Sequence, residues 1–157
     1  LYTPALIHDG TGRHIRDPAR SNDGATFHWL IEDPAIHAIN RRLAALSGST
    51  YEQGEAAQLL RYREGQEYRT HYDYVPAAAN QRILTALIYL NDDFHGGETA
   101  FPKAGVRVRA RSRQAIVFSN VLDDGRVDPA SEHAGLPVTR GVKYLYSRWI
   151  RERRWIP

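Results

Sequence analysis

Apolar and polar positions along the chain change rhythm once. Ile36, Ile39, Leu43 and Leu46 recur at the three-and-four spacing of one helical face. Asp33 stands ahead of them as an N-cap, Pro34 takes the first helical position, and Gly48 supplies the stop. The pattern predicts one helix at about 34–47. After Gly54 the rhythm shortens. Leu59 to Tyr62, Ile83 to Leu90, Val106 to Val108, Ala115 to Phe118 and Lys143 to Ile150 are short apolar or alternating runs. Glu64-Gly65, Gly96-Gly97, Asp124-Gly125 and Gly135 supply turn signals between them. Ahead of the helix, residues 9–25 are rich in Gly, Asp, Arg and Asn and read as loop with short extended pieces. One helix followed by several short strands predicts a mainly β fold with α support. Its core is expected to be a double-stranded β-helix (jelly roll), with the helix packed on one sheet.

Composition narrows the class. The 157 residues, 42% hydrophobic and 25% charged, suit a single domain over 1–157 and exclude disorder. No apolar run approaches the ~20 residues of a membrane helix. Cys is absent, which excludes disulfides and thiolate metal sites. Met is absent too, even at position 1, so a trimmed product is expected. With no Cys and no visible targeting segment, the expected location is cytoplasmic. Net charge is +3, from 21 Lys+Arg against 18 Asp+Glu. Arg107, Arg109, Arg111 and Arg113 alternate, while Arg148, Arg151, Arg153 and Arg154 crowd the C-terminus. These read as a solvated strand face and a polar tail, which makes nucleic acid an unlikely partner. A non-catalytic basic binding module is the competing reading.

Chemistry enters with His71-Tyr72-Asp73. On a strand, residues i and i+2 share a face, so the imidazole and the carboxylate converge. They are two of the three ligands of a facial triad for non-haem Fe(II), although the same pair also describes an ordinary core edge. His133 lies downstream, where a jelly roll brings a late strand beside an early one. Ten residues later Lys143 opens the last strand, and Lys143, Leu145, Ser147 and Trp149 share one face. An inward ammonium is costly unless it meets an anion, such as a dicarboxylate cosubstrate. The opposite parity, with Tyr144, Tyr146 and Ile150 as core, remains open at this stage.

From about Asp33 to Glu152 the chain resembles the prolyl 4-hydroxylases of the Fe(II)/2-oxoglutarate-dependent dioxygenases. Three ordered blocks carry the likeness. The first runs from Gly54-Glu55 through Leu60-Arg61-Tyr62 and Gly65-Gln66-Glu67-Tyr68 to His71-Tyr72-Asp73-Tyr74. The second holds Gln81-Arg82-Ile83-Leu84-Thr85, Tyr89-Leu90-Asn91-Asp92 and Gly96-Gly97-Glu98-Thr99-Ala100-Phe101-Pro102. The third holds His133-Ala134-Gly135-Leu136-Pro137-Val138, Gly141-Val142-Lys143 and Trp149-Ile150-Arg151-Glu152.

The resemblance implies that His71, Asp73 and His133 bind Fe(II). It implies that Lys143 pairs with the distal carboxylate of 2-oxoglutarate, with Thr99 and Tyr62 beside it. Glu55, Tyr68, Arg82 and Trp149 match positions around the prolyl substrate. The implied reaction converts 2-oxoglutarate and O2 to succinate and CO2 while hydroxylating a C–H bond, with ascorbate as a possible reductant. One departure bears on the substrate: only eight residues separate Asp73 from Arg82, and they include Val75-Pro76-Ala77-Ala78-Ala79. That short segment favours a free amino acid or another small molecule. Arg82, Trp149 and Glu55 favour a prolyl peptide or protein.

Overall fold

The computed structural model describes residues 2–8 and 14–156. Strands β1 (Thr3–Pro4), β2 (Ile7–His8), β3 (His14–Ile15) and β4 (Asp23–Phe27) precede helix α1 (Pro34–Ser47). Then come β5 (Ala57–Tyr62), β6 (Tyr68–His71), β7 (Arg82–Tyr89), β8 (His95–Gly96) and β9 (Thr99–Phe101). The series closes with β10 (Val106–Val108), β11 (Ala115–Ser119), β12 (His133–Gly135), β13 (Val138–Arg140) and β14 (Lys143–Arg151). A six-stranded antiparallel sheet has the order β1-β4-β5-β14-β7-β11, and a four-stranded one the order β10-β9-β12-β6. These two sheets are the expected double-stranded β-helix. No helix among the described residues is long and apolar enough to cross a membrane.

The helix forms where its end signals place it. The Asp33 side chain accepts from the Ile36 N–H at 2.9 Å, and Gly48 stops the helix at φ 65° with its N–H on the Ala44 and Ala45 carbonyls. Its buried stripe is Asn40, Leu43 and Ala44. Leu46, expected on the apolar face, stands 66% exposed, because the inward stripe reaches Ser47, one position later along the helical turn. Asn40 earns its buried place by accepting from the Tyr146 hydroxyl at 2.8 Å.

Strand β14 carries the architecture. It pairs with β5 on one side and β7 on the other, and seven of its nine residues are buried. Neither parity is the outside. Leu145 joins Leu60, Tyr62, Leu87, Tyr89, Phe94 and Val138 in a cluster toward the smaller sheet. Tyr146 and Ile150 join Leu43, Ala57 and Ala86 in a second cluster under the helix. The two alternatives left open by the alternation are therefore both core, one on each face of a central strand.

Two expectations need correction. Arg148 belongs to no solvated tail: it is 3% exposed. Its guanidinium donates to the carbonyls of Asn40 (3.2 Å), Tyr51 (3.0 Å) and Glu55 (3.1 Å), and so stitches α1 and the following turn to β14. Arg107, Arg109, Arg111 and Arg113 are exposed, as expected. Gly135 marks no turn. It lies within β12, hydrogen-bonded between β6 and β9 across a register shift, with the Tyr62 ring against its α-carbon.

The Arg148 clasp depends on Gly54, because a methyl group there would land inside the guanidinium. Gly54→Ala is expected to lower stability by about 1–3 kcal/mol, the usual cost of overpacking a filled interior. Urea denaturation measures it, and an unchanged midpoint would show that Arg148 moves aside freely.

Candidate functional site

Register builds the site. β6 and β12 run antiparallel with His71 directly opposite His133, and Asp73 follows two residues past the first of them, just beyond the strand end. One ligand atom from each of His71, Asp73 and His133 lies within 4.8 Å of the others. His71 Nε2 stands 3.6 Å from Asp73 Oδ1, and His133 Nε2 stands 3.6 Å from Asp73 Oδ2.

The ring nitrogens are already sorted for a metal. His71 Nδ1 faces the Arg69 carbonyl at 2.8 Å, and His133 Nδ1 faces the Ser131 carbonyl at 2.9 Å. A carbonyl only accepts, so both Nδ1 atoms carry the proton and both Nε2 lone pairs point inward. Tyr68 stacks on the His71 ring at 3.5 Å between centroids, while Phe118 packs edge-on to His133 at 4.9 Å. Burial pushes His133 down to about 4, which leaves a neutral imidazole near pH 7. Burial also opposes ionisation of Asp73, but the His133 and His71 rings outweigh it and hold its carboxyl well below the usual carboxylate range. Two imidazoles and a carboxylate on one face suit Fe(II) with open positions.

Behind the triad lies a support that the sequence did not single out. The buried Thr85 hydroxyl donates to Asp73 Oδ2 at 2.7 Å, and Asn120 Nδ2 donates to Thr85 Oγ1 at 2.9 Å. Thr85 and Asn120 are both 0% exposed. Thr85 sits in the second matching block, but nothing in its spacing says that it faces Asp73. That follows from the pairing of Thr85 with Trp149 across β7 and β14.

A cavity of about 30 Å³ runs from the triad to Lys143, lined also by Tyr62, Thr99 and Ser147. Registers explain this company: Lys143 pairs with Tyr62 across β14 and β5, and Thr99 pairs with Gly135 across β9 and β12. Lys143 is 1% exposed, and its Nζ donates to the Gly97 carbonyl at 2.7 Å and lies 4.9 Å from the Tyr62 ring centroid. Burial pushes its ammonium down to about 7. Gly97 holds φ 68°, and a Cβ there would meet Phe94 at 2.9 Å, so the turn that offers this carbonyl needs glycine. Tyr89, another residue given no role from sequence, shares a 2.6 Å hydrogen bond with Thr99. The donor set fits an anionic cosubstrate.

Beside the triad an open groove of about 260 Å³ is lined by Glu55, Tyr68, Arg82 and Trp149, all four substrate-side candidates. Arg82 lies over the Trp149 ring at 3.8 Å. Both Glu55 oxygens are engaged by Arg82, at 2.6 and 2.9 Å, and Arg151 Nε approaches Oε1 at 2.6 Å. Trp149 is 7% exposed, and its buried indole N–H has no hydrogen-bond partner. Arg20 borders both the groove and the cavity. This guanidinium, 7% exposed, lies 4.8 Å from the Tyr68 ring and bonds to Asn22 Oδ1 (3.1 Å) and the Leu6 carbonyl (2.8 Å). Its surroundings in the sequence carry no periodicity, so only the fold reveals it.

The match to known proteins agrees with this geometry. Residues 57–151 match the model of the 2OG-Fe(II) oxygenase superfamily, and the chain belongs to that superfamily. Prolyl 4-hydroxylase 1 of Arabidopsis thaliana is 35% identical over 98% of this chain and 61% of its own length. Prolyl 4-hydroxylase 5 of the same plant is 33% identical over 96% of the chain and 60% of its length. The chain thus spans about three-fifths of the curated relatives it matches. A viral collagen prolyl hydroxylase from Paramecium Bursaria Chlorella virus-1, solved as a 2OG complex, superposes with a TM-score of 0.72. It is 26% identical, covering 84% of this chain and 79% of that one.

Thr85→Val is expected to weaken Fe(II) binding about 10- to 100-fold, as loss of a ligand's hydrogen-bond partner does, with the fold intact. Titration of the apoprotein with Fe(II) under anaerobic conditions checks it, and unchanged affinity would detach Thr85 from the metal centre. Lys143 gives a pH test. Above about 7 the empty site holds a neutral amine, and an arriving dicarboxylate favours its charged form. Binding of 2-oxoglutarate at pH 8 is therefore expected to take up a proton, and affinity to fall as pH rises. Calorimetry in two buffers of different ionisation heat measures the uptake, which is expected to vanish in Lys143→Met.

Proposed function

We propose that this domain is a Fe(II)- and 2-oxoglutarate-dependent hydroxylase of prolyl substrates, resembling prolyl 4-hydroxylases. The observation that carries the reading is one continuous arrangement. The His71/Asp73/His133 triad sits between an interior cavity ending on an ammonium and an open groove walled by aromatic rings. Iron with its cosubstrate supplies the oxidising chemistry that inserts an oxygen atom into a C–H bond. The protein's residues divide the remaining work. Lys143, with Thr99 and Tyr62, holds the distal carboxylate of 2-oxoglutarate through charge-assisted contacts in a site closed to water. Tyr68 fixes the His71 ring, and with Trp149 it offers flat apolar surfaces to a pyrrolidine ring.

Arg82 serves the substrate backbone. Glu55 takes its Nε and one Nη, which leaves the other face of the fork for a carbonyl. Glu55 thereby acts as a positioning residue for Arg82. The unpartnered Trp149 N–H supplies a second donor for a substrate oxygen. The groove extends along Val75 and Pro76 as well as the four substrate-side residues, which favours a chain over a free amino acid.

The test is mass spectrometry of proline-containing peptides, free proline and other amino acids incubated with Fe(II), 2-oxoglutarate, O2 and ascorbate. A gain of about 16 Da on prolyl peptides, one oxygen atom, is expected, matched by succinate. It is expected to disappear in His133→Ala. A product on free amino acids alone would turn the assignment to the small-molecule reading, and no succinate with any substrate would overturn it.

A further inference from the structure

A second depression adjoins the groove. Beyond Val75 and Pro76, which border both, lies a wider cleft of about 750 Å³ between the 75–80 segment and the chain's last residues. Its far wall includes Arg151, Arg153, Arg154 and Trp155. The charge of this passage is one-sided. Arg20, Arg82, Arg151, Arg153 and Arg154 line it, against the two carboxylates of Glu55 and Asp73. Both carboxylates are committed: Glu55 to Arg82 and Arg151, Asp73 to the triad. Among the described residues no carboxylate lies within ion-pair distance of Arg20, Arg153 or Arg154.

The backbone beneath two of these cations is held in place. Asn80 Nδ2 donates to the Arg153 carbonyl (3.1 Å) and the Arg154 carbonyl (3.2 Å), and the Arg153 N–H donates back to Asn80 Oδ1 at 2.9 Å. Arg151 Nη1 donates to the Asn80 carbonyl at 2.7 Å. The backbone that carries Arg153 and Arg154 is thus pinned to the rim of the groove, and the Arg153 guanidinium also donates to the Ala79 carbonyl.

We propose that the substrates are prolyl segments with acidic flanks, whose Asp or Glu side chains lie on Arg153 and Arg154 while the proline faces the triad. The inference rests on the prolyl hydroxylase reading above. The structure gives the reason: an extended chain leaving the prolyl site across Pro76 meets Arg153 and Arg154, two guanidiniums that pair with no carboxylate among the described residues. Charge complementarity of this kind selects partners and speeds encounter.

The experiment compares peptides that share one prolyl core, flanked on both sides by Asp, Ser or Lys, in the iron-loaded enzyme. The KM of the Asp peptide is expected to be about five- to tenfold below that of the Lys peptide at low salt, the yield of two exposed pairs. The gap is expected to narrow as salt shortens the screening length to about 8 Å at physiological ionic strength. Arg153→Gln/Arg154→Glu is expected to erase the preference while leaving the KM values for the Ser peptide and 2-oxoglutarate in place. Arg154→Glu alone, which leaves the Arg153 contacts with the rim untouched, is expected to halve the preference or more. Equal KM values for the Asp and Lys peptides would overturn the proposal, as would a preference that survives both variants. Turnover of the Ser peptide separates the two failures: if no peptide is hydroxylated, the prolyl reading itself falls, whereas equal turnover of all three removes only the acidic preference.

Discussion

The register of β14 between β5 and β7 decides what chemistry the interior contains. Because strand side chains alternate with period two, a slip of one residue would turn Lys143, Ser147 and Trp149 toward the helix and bring Tyr144, Tyr146 and Arg148 into the cavity. Both faces of β14 are buried, so neither exchange is tolerable. An ammonium among Leu43, Ala57 and Ala86 would meet no acceptor, and the carbonyls now held by Arg148 would lose their donor. The same alignment sets Trp149 opposite Thr85 and Lys143 opposite Tyr62, which fixes the support of Asp73 and the walls of the cavity together.

Much of this was legible from residue order. The helix followed from Asp33, Pro34 and Gly48, which act locally and do not depend on what the helix packs against. The triad was legible in part: His71 and Asp73 by their spacing, His133 by the resemblance. Long-range pairings stayed hidden. Arg148 looked like part of a polar tail because the sequence does not show that carbonyls of α1 and of the 51–55 turn converge on it. Arg20 lies in a stretch with no period at all. Thr85, Asn120 and Tyr89 are single hydroxyl or amide groups whose partners stand 12, 35 and 10 residues away in sequence, and a contact of that kind leaves no periodic trace.

Buried charge is handled in three ways within a small volume. Glu55 is shared between two guanidiniums and leaves one positive charge in excess on the groove side. Arg148 has no carboxylate beside it and rests on main-chain carbonyls, a stable arrangement because a guanidinium has five donors to distribute. Lys143 has the Gly97 carbonyl and the faces of two tyrosines, and burial pushes its ammonium down to about 7. Of these three, the one with the fewest polar partners is the one that faces the cavity.

The tie between Asn80 and the Arg151 side chain, together with the main chain of Arg153 and Arg154, has a kinetic consequence. A short loop fastened only at its own ends rearranges within nanoseconds to microseconds. Here the segment from Val75 to Asn80 lifts only if the continuation of the central strand comes away with it, so opening becomes a cooperative, sub-global event. The mouth of the groove is then a rigid frame whose dimensions do not adapt to the visitor, and slow exchange of amide hydrogens on both halves of the tie would rise and fall together.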